Sequence, residues 1–295
     1  LQSAKAESFS AGILKSVVSL LPQWPGSGYR PKEPEGTAVA VFPGGYLATN
    51  DHIIGPAKII RIRMEDGRIL PAEIIGRDPM TDLALVKAPI DLPVPTIGPE
   101  PKLGERVCAV GNQFGLGLSV TCGVVSATRR TGTGFNPIED FIQTDAVINP
   151  GGSGGALVDG DGRLVGLVSA IFTKDSDANI GVNFASSMRL VKRVARDLKD
   201  RGRVVRQKSG LIVRNLTLDE QREGAGAYVQ AVQPNSPAAG TGIQVGDIIT
   251  MIGDWTVHKT NDLATAVFFI GPGGKARIEY KRDKTHKRSE ISFSN

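Results

Sequence analysis

Histidine is scarce in this 295-residue chain, which has only three, His52, His258 and His286. Metal cages built from several histidines are nearly excluded, and any imidazole chemistry must use one of these three residues. Aromatic residues make up only 5% of the chain, while glycine reaches 36 positions. That pairing favours tight turns and short strands over long helices. There are two cysteines, Cys108 and Cys122, which do not decide the redox compartment. Charge of one sign is also lacking: the net charge is only +5 and opposite charges interleave along most of the chain. The densest cluster, Lys281 to Arg288, has no interleaved aromatic residues to stack bases and reads as a solvated hairpin tip, so nucleic acid is not an expected partner. With 40% hydrophobic and 22% charged residues, the chain is a soluble globular type of about two domains.

No stretch reads as a membrane span. The longest run without a charged residue, Val107 to Thr128, holds four glycines and six polar residues. Apolar alternation on both sides of the Gly111–Gly117 turn signal marks it as a buried β-hairpin. Cys108 and Cys122 lie on its two arms, where they form either a disulfide or two buried thiols, the latter being the plainer expectation. The chain opens at Leu1 with no charged segment followed by an apolar core. It is therefore either cytosolic or preceded by a targeting segment upstream of this numbering.

The pattern divides the chain as follows. Residues 1–35 are an N-terminal segment and loop, with a first strand expected within 13–21. Residues 36–202 carry short β-type runs broken by glycine and proline, the mark of a barrel or sandwich, then a helix. In that helix Met188, Val191, Ala195 and Leu198 recur at helical spacing, Ser186 or Ser187 caps the start and Gly202 stops it. Residues 203–207 are a basic linker. The remaining 208–295 form a compact domain of strand-like runs around a second helix near 261–269.

The chemistry concentrates at Asn149-Pro150-Gly151-Gly152-Ser153-Gly154-Gly155. A nucleophilic hydroxyl needs an exposed tight bend, with backbone N–H groups free to converge on the carbonyl oxygen under attack, and glycines permit both. A serine is a weak nucleophile without a base in reach. His52 ends the run Tyr46–His52, and Asp82 precedes the apolar run Leu83–Val86. The chain order His, Asp, Ser is one of those used by Ser-His-Asp hydrolases. His258 and His286 sit in polar, loop-like contexts and read as surface residues.

Several motifs together resemble the HtrA (Deg) family of serine proteases: Thr49-Asn50-Asp51-His52, Thr81-Asp82-Leu83-Ala84-Leu85, Gln143-Thr144-Asp145-Ala146, and Ile148 through Leu157. Gly111 to Gly117 and Asn179 to Ala185 also match family segments, in the expected order. The resemblance implies a mainly β fold: a chymotrypsin-like double β-barrel followed by a smaller α+β PDZ domain. It implies His52 as general base, Asp82 as its orienting carboxylate, Ser153 as nucleophile, and the N–H groups of Gly151 and Ser153 as oxyanion hole. No cofactor or metal is implied. Segments 129–139 and 171–180 resemble the family's regulatory and specificity loops.

In the second domain, Ser236 to Ile243 and Val245 to Ile249 are similar to the PDZ signature. A PDZ domain adds a peptide strand to a sheet edge and holds its terminal carboxylate in a nest of N–H groups, here Lys208-Ser209-Gly210-Leu211. The implied activity is ATP-independent endopeptidase cleavage of unfolded or misfolded polypeptides, with peptide C-termini as PDZ ligands. The resemblance also implies a homotrimer contacted near the N-terminus and a periplasmic or otherwise extracytoplasmic location. Small or medium aliphatic residues are implied at the cleavage site, with Asn183 near the expected pocket wall.

Three residues depart from the pattern. Gly152 stands where such proteases usually carry Asn or Asp, Asp51 where many relatives carry a smaller or neutral residue, and Ser209 where relatives usually carry an apolar one. The departures at Gly152 and Ser209 motivate the alternative of a proteolytically weak or inactive chaperone or peptide-binding scaffold on the same fold.

Overall fold

A computed structural model describes residues 12–25, 36–171 and 181–294. The N-terminal residues expected in trimer contacts, and most of the 171–180 loop, lie outside the described residues. The chain divides into two compact units, Leu1–Arg130 with Asp140–Val204, and Thr131–Glu139 with Val205–Asn295.

The first unit holds two closed six-stranded barrels, as the double-barrel expectation requires. Strands β1 (Val17–Gln23), β2 (Gly36–Phe42), β3 (Tyr46–Thr49), β4 (Ile59–Arg63), β5 (Ile69–Asp78) and β6 (Leu83–Lys87) close in the order β1-β2-β3-β6-β5-β4. Strands β7 (Arg106–Gly111), β8 (Ser119–Arg130), β9 (Phe141–Thr144), β10 (Ala156–Asp159), β11 (Leu164–Ile171) and β12 (Asn183–Ser187) close as β10-β11-β12-β9-β8-β7. Period-two alternation aims one face of each strand inward. In β4, Ile60 and Ile62 are buried while Ile59 and Arg61 are exposed. Val18, Leu20, Leu47, Ile60, Ile62 and Val86 fill the first barrel, and Val107, Ile142, Leu157, Val165 and Val168 the second. Each such side chain contributes about 1.5–3 kcal/mol on burial.

The uncharged run around Gly111–Gly117 is a hairpin, with Val107 opposite Gly123 and Gly111 opposite Ser119. Cys108 pairs with Cys122 directly across it, and the two are joined as a disulfide, not held as two thiols. The helix spans Met188–Arg201. The Ser187 hydroxyl accepts the Leu190 N–H at its start, and Gly202, at φ +68, donates to Leu198 O at its end. Met188, Val191, Ala195 and Leu198 are buried as ordinary packing. Asp140, beneath the helix start, accepts the Ser187 hydroxyl at 2.6 Å. Burial pushes the Asp140 carboxyl up from its ordinary range, against the pull of Arg189 and the Ser187 hydroxyl.

The second unit is a sheet of β13 (Leu211–Asn215), β14 (Ala227–Val232), β15 (Ile248–Ile252), β17 (Lys275–Arg282) and β18 (Thr285–Ser292), in the order β13-β14-β15-β17-β18. The short β16 (Trp255–Thr256) pairs with β15. The helix Thr260–Ile270 supplies Leu263, Ala266 and Val267 to a core with Val229, Ile249, Ile278 and Ile291. The basic cluster does sit on a hairpin, whose tip, Asp283 and Lys284, has φ of +48° and +64°. Segment Thr131–Glu139 packs in this unit. Its buried Glu139 carboxylate accepts N–H groups of Thr133, Phe135 and Asn136, and the Thr265 hydroxyl donates to Glu139 O. Elsewhere in the unit, the Arg214 guanidinium and the Thr217 amide hold the Glu220 carboxyl down at about 2.

Candidate active site

His52 lies on a single turn of helix, Asp51–Ile54, directly after β3. A helix of four residues has no stability of its own, so its orientation is set by what grips it. Asp82, in the connection from β5 to β6, supplies one grip from an unusual backbone conformation, φ +54°. Its Oδ1 accepts the His52 backbone N–H at 2.9 Å, and its Oδ2 lies 2.7 Å from His52 Nδ1. Its carbonyl accepts the Asp51 N–H at 3.1 Å and the Asn50 side-chain amide at 3.0 Å. A carboxylate that close to Nδ1 requires the ring to donate from Nδ1, so a neutral imidazole presents Nε2 as the proton acceptor. The His52 side chain is 48% exposed against 15% for Asp82, so the imidazole faces solvent while its partner is shielded.

Ser153 follows a tight turn closed by the Gly152 N–H donating to Asn149 O at 2.9 Å. The turn is held by neutral groups throughout. Thr37 on β2, fully buried, donates its N–H to Ser153 O at 2.9 Å and its hydroxyl to Gly151 O at 2.7 Å. The Phe114 N–H donates to Pro150 O at 2.7 Å, and the Asn149 amide to Gln113 Oε1 at 2.8 Å. Because a trans peptide sets its N–H opposite its carbonyl, the bond to Pro150 O turns the Gly151 N–H away from Phe114. Among the described residues neither the Gly151 nor the Ser153 N–H has a hydrogen-bond partner. Both donors are thus available to charge arriving at the loop.

Glycine is obligatory at position 154, where φ is +83° and an added Cβ would stand 1.9 Å from Thr37 O. At Gly152 an added Cβ would meet Asn149 O at 3.0 Å. With an Asn or Asp there, the turn would have to open by a few tenths of an ångström.

The Ser153 hydroxyl donates to Ser169 O at 3.2 Å and, among the described residues, is not hydrogen-bonded to His52. The two halves are linked one shell out. Ser169 offers its carbonyl to Ser153 and its hydroxyl to the Asn50 amide at 3.2 Å, and that amide also reaches Asp82 O. Sequence reasoning missed Thr37, Asn50 and Ser169. Asn50 lies inside the Thr49–His52 motif, but Thr37 and Ser169 sit in unremarkable strand sequence and carry no local signal. His258 and His286 are exposed in the second unit, as their polar contexts suggest. Asn183 is buried and donates to Ala146 O at 3.0 Å. Among the described residues no cluster of three or more His, Cys, Asp or Glu side chains is placed to hold a metal ion.

In the second unit, Ser209, Gly210 and Leu211 lead into β13, which among the described residues is an edge strand paired with β14. Gly210 has φ +80°, and its carbonyl accepts the Gln233 N–H at 2.8 Å. The Ser209 hydroxyl accepts the Leu211 N–H at 3.2 Å. The chain's own side chain therefore caps the Leu211 N–H.

Two closed barrels with His, Asp and Ser at one locality have the architecture of the trypsin-like peptidases, and the second unit is a sheet with an open edge strand. A profile of the trypsin-like peptidase domain matches residues 36–167, and one of the PDZ domain matches residues 179–293. The solved structure of the HtrA-type protease AlgW with a tripeptide superposes with a TM-score of 0.78 at 35% identity, covering 99% of this chain and 96% of that one. A probable periplasmic serine endoprotease DegP-like of Pseudomonas fulva is 37% identical over 92% of this chain. The periplasmic serine endoprotease DegP of Escherichia coli is 37% identical over 81% of it. The chain belongs to the HtrA family of serine proteases. It spans a little over half of those two relatives, 58% and 52% of their lengths.

Proposed function

We propose that the chain is an ATP-independent serine endopeptidase that cleaves unfolded or misfolded polypeptides. The observation that carries this reading is the double grip of Asp82 on His52, which holds the ring and leaves Nε2 as an oriented base. Ser153 gives its proton to Nε2 as it attacks the scissile carbonyl, and the developing oxyanion is received by the N–H groups of Gly151 and Ser153. His52 then protonates the leaving amine, and water activated by the same ring hydrolyses the acyl-enzyme. Before attack, the serine hydroxyl exchanges Ser169 O for Nε2. A neutral hydrogen bond of this kind is worth about 0.5–1.5 kcal/mol, a small toll against a catalysed barrier.

The second unit receives peptide C-termini by strand addition along β13, with the carboxylate at Ser209, Gly210 and Leu211. Capping of the Leu211 N–H by Ser209 supports weak binding at that nest. The likeness to HtrA proteases supports a homotrimer, and the relatives' periplasmic naming an extracytoplasmic location. Among the described residues no helix is long and apolar enough to cross a membrane.

The test is Ser153→Ala against the parent on denatured casein, with fluorophosphonate labelling alongside. The parent should label and cleave, and the variant should fall to background, a loss of at least about 10⁴-fold. A folded variant that cleaves as fast as the parent sinks the mechanism. A parent that neither labels nor cleaves, even with activating peptide, favours the chaperone or scaffold reading.

A further inference from the structure

Asp51 places a carboxylate next to the proposed base, which is a hazard unless something governs it. It is buried, only 8% exposed, and a desolvated carboxylate without a partner is strongly unfavourable. Its side chain does not turn to the His52 ring. It meets Arg77, on β5, whose Nε donates to Asp51 Oδ1 at 2.5 Å. The same guanidinium donates through Nη2 to Asp51 O at 3.3 Å and through Nη1 to Gly55 O at 2.6 Å. One planar fork thus engages both ends of the single turn that carries His52, a geometry open to arginine and not to lysine. Gly55 closes that turn at φ +50°, and the Trp24 ring lies against it, 2.8 Å from where a Cβ would stand.

Arg77 and Asp82 belong to the same β5–β6 corner. Arg77 pairs with Ala84 across the two strands, and Asp82 sits in their connection. The corner therefore grips the His52 turn twice: Asp82 takes the ring and the His52 N–H, and Arg77 takes the Asp51 carboxylate and the turn's last carbonyl. The two grips meet at Asp51, whose N–H donates to Asp82 O.

We propose that Arg77 is a positioning residue for the general base, acting through Asp51. It neutralises that carboxylate and ties the turn so that the His52 ring stays aligned with Asp82 and Ser153. The assignment rests on the endopeptidase reading above. A base displaced by about 1 Å loses on the order of 100-fold in rate, so the effect belongs in kcat, not in KM.

The experiment is a double-mutant cycle on the full chain, with kcat and KM for a peptide substrate, fluorophosphonate labelling rates and thermal melts. Arg77→Met is expected to lower kcat and labelling about 10- to 100-fold with KM within about twofold. Asp51→Asn alone loses the carboxylate but keeps the bonds to Asp51 O and Gly55 O, and should lose less than Arg77→Met. The double variant, which holds no uncovered carboxylate but lacks the bonds to Asp51 O and Gly55 O, should recover part of what Arg77→Met lost. Arg77→Lys keeps the charge but not the three-way fork and should fall between the parent and Arg77→Met. Should Arg77→Met fail to fold, Arg77→Lys and the double variant decide the matter on the same scale. Parent-like kcat in folded Arg77→Met or Arg77→Lys overturns the assignment. So does a loss confined to KM, or a double variant as slow as a folded Arg77→Met. A parent that neither labels nor cleaves sinks the endopeptidase reading instead.

Discussion

The two halves of the candidate site are held by different physics. In the first barrel the His52 turn is gripped by formal charges: the Asp82 carboxylate accepts twice from His52, and the Arg77 guanidinium clasps Asp51. In the second barrel the Ser153 turn is held by neutral hydroxyl, amide and backbone groups, with Thr37 contributing two of the bonds. Charge-assisted hydrogen bonds are roughly twice as strong as neutral ones. The His52 ring is therefore firmly set, while the Ser153 hydroxyl rests on Ser169 O and, in the proposed mechanism, has to shift to reach Nε2. The difference places the adjustable step on the nucleophile's side of the cleft.

The sharpest way to break that comparison is Asp82→Asn. The replacement keeps the shape, but an amide at Oδ2 no longer demands a proton on Nδ1, so the ring loses the tautomer that exposes Nε2. A loss of about 10³- to 10⁴-fold in kcat is expected, with KM little changed. A loss below about tenfold would show that the carboxylate grip does not orient the base.

Thr37→Val, nearly isosteric, tests the neutral half. It removes the hydroxyl bond to Gly151 O and the acceptor of the Asn112 N–H, and it leaves the Thr37 N–H on Ser153 O. A loss of at most about 30-fold in kcat is expected, the equivalent of two neutral bonds of about 1 kcal/mol each, with Thr37→Ser close to the parent. If Thr37→Val proved as damaging as Asp82→Asn, the serine turn would be the more tightly preset half and the comparison would invert.

The contrast also accounts for what could be read from sequence. The charged and nucleophilic residues stood in compact motifs, because Thr49–His52 and Asn149–Gly155 each pack their chemistry into a few consecutive positions. The second helix, near 261–269, and the capped helix from Met188 were legible because apolar periodicity and cap residues are local signals. Strand β5 was not among the legible runs. Its side chains are mostly half-buried, and its register shifts between Ile74 and Gly76, so no clean alternation marks it. Arg77 lies on that strand, and Thr37 and Ser169 act across 114 and 16 residues of chain, so their roles exist only once the barrels close. The Asp51–Arg77 pairing was hidden for the same reason, although Asp51 itself stood out beside His52.

The disulfide offers the mildest and most selective perturbation. Cys108 and Cys122 face each other across the β7–β8 hairpin, whose far end carries the 112–117 connection that holds Asn149 and Pro150. Closing a loop of this size, with a sequence separation of 14, constrains the unfolded chain by about 3 kcal/mol in the chain-entropy picture. A hairpin that forms locally in the unfolded ensemble already surrenders part of that entropy, so Cys108→Ser with Cys122→Ser should destabilise the first unit by about 1–3 kcal/mol. At about 2–4 °C per kcal/mol for a unit of this size, the Tm should fall by up to about 10 °C, and a thiol reductant should reproduce the shift in the parent, since Cys122 is exposed. The backbone bonds from Phe114 and Thr37 remain, so kcat at 25 °C should stay within about twofold. If kcat instead falls as far as in Thr37→Val, the staple is part of what aligns the serine. The nucleophile's half would then owe its geometry to a covalent tie as well as to neutral bonds, and the softness ascribed to it would be confined to the Ser153 side chain.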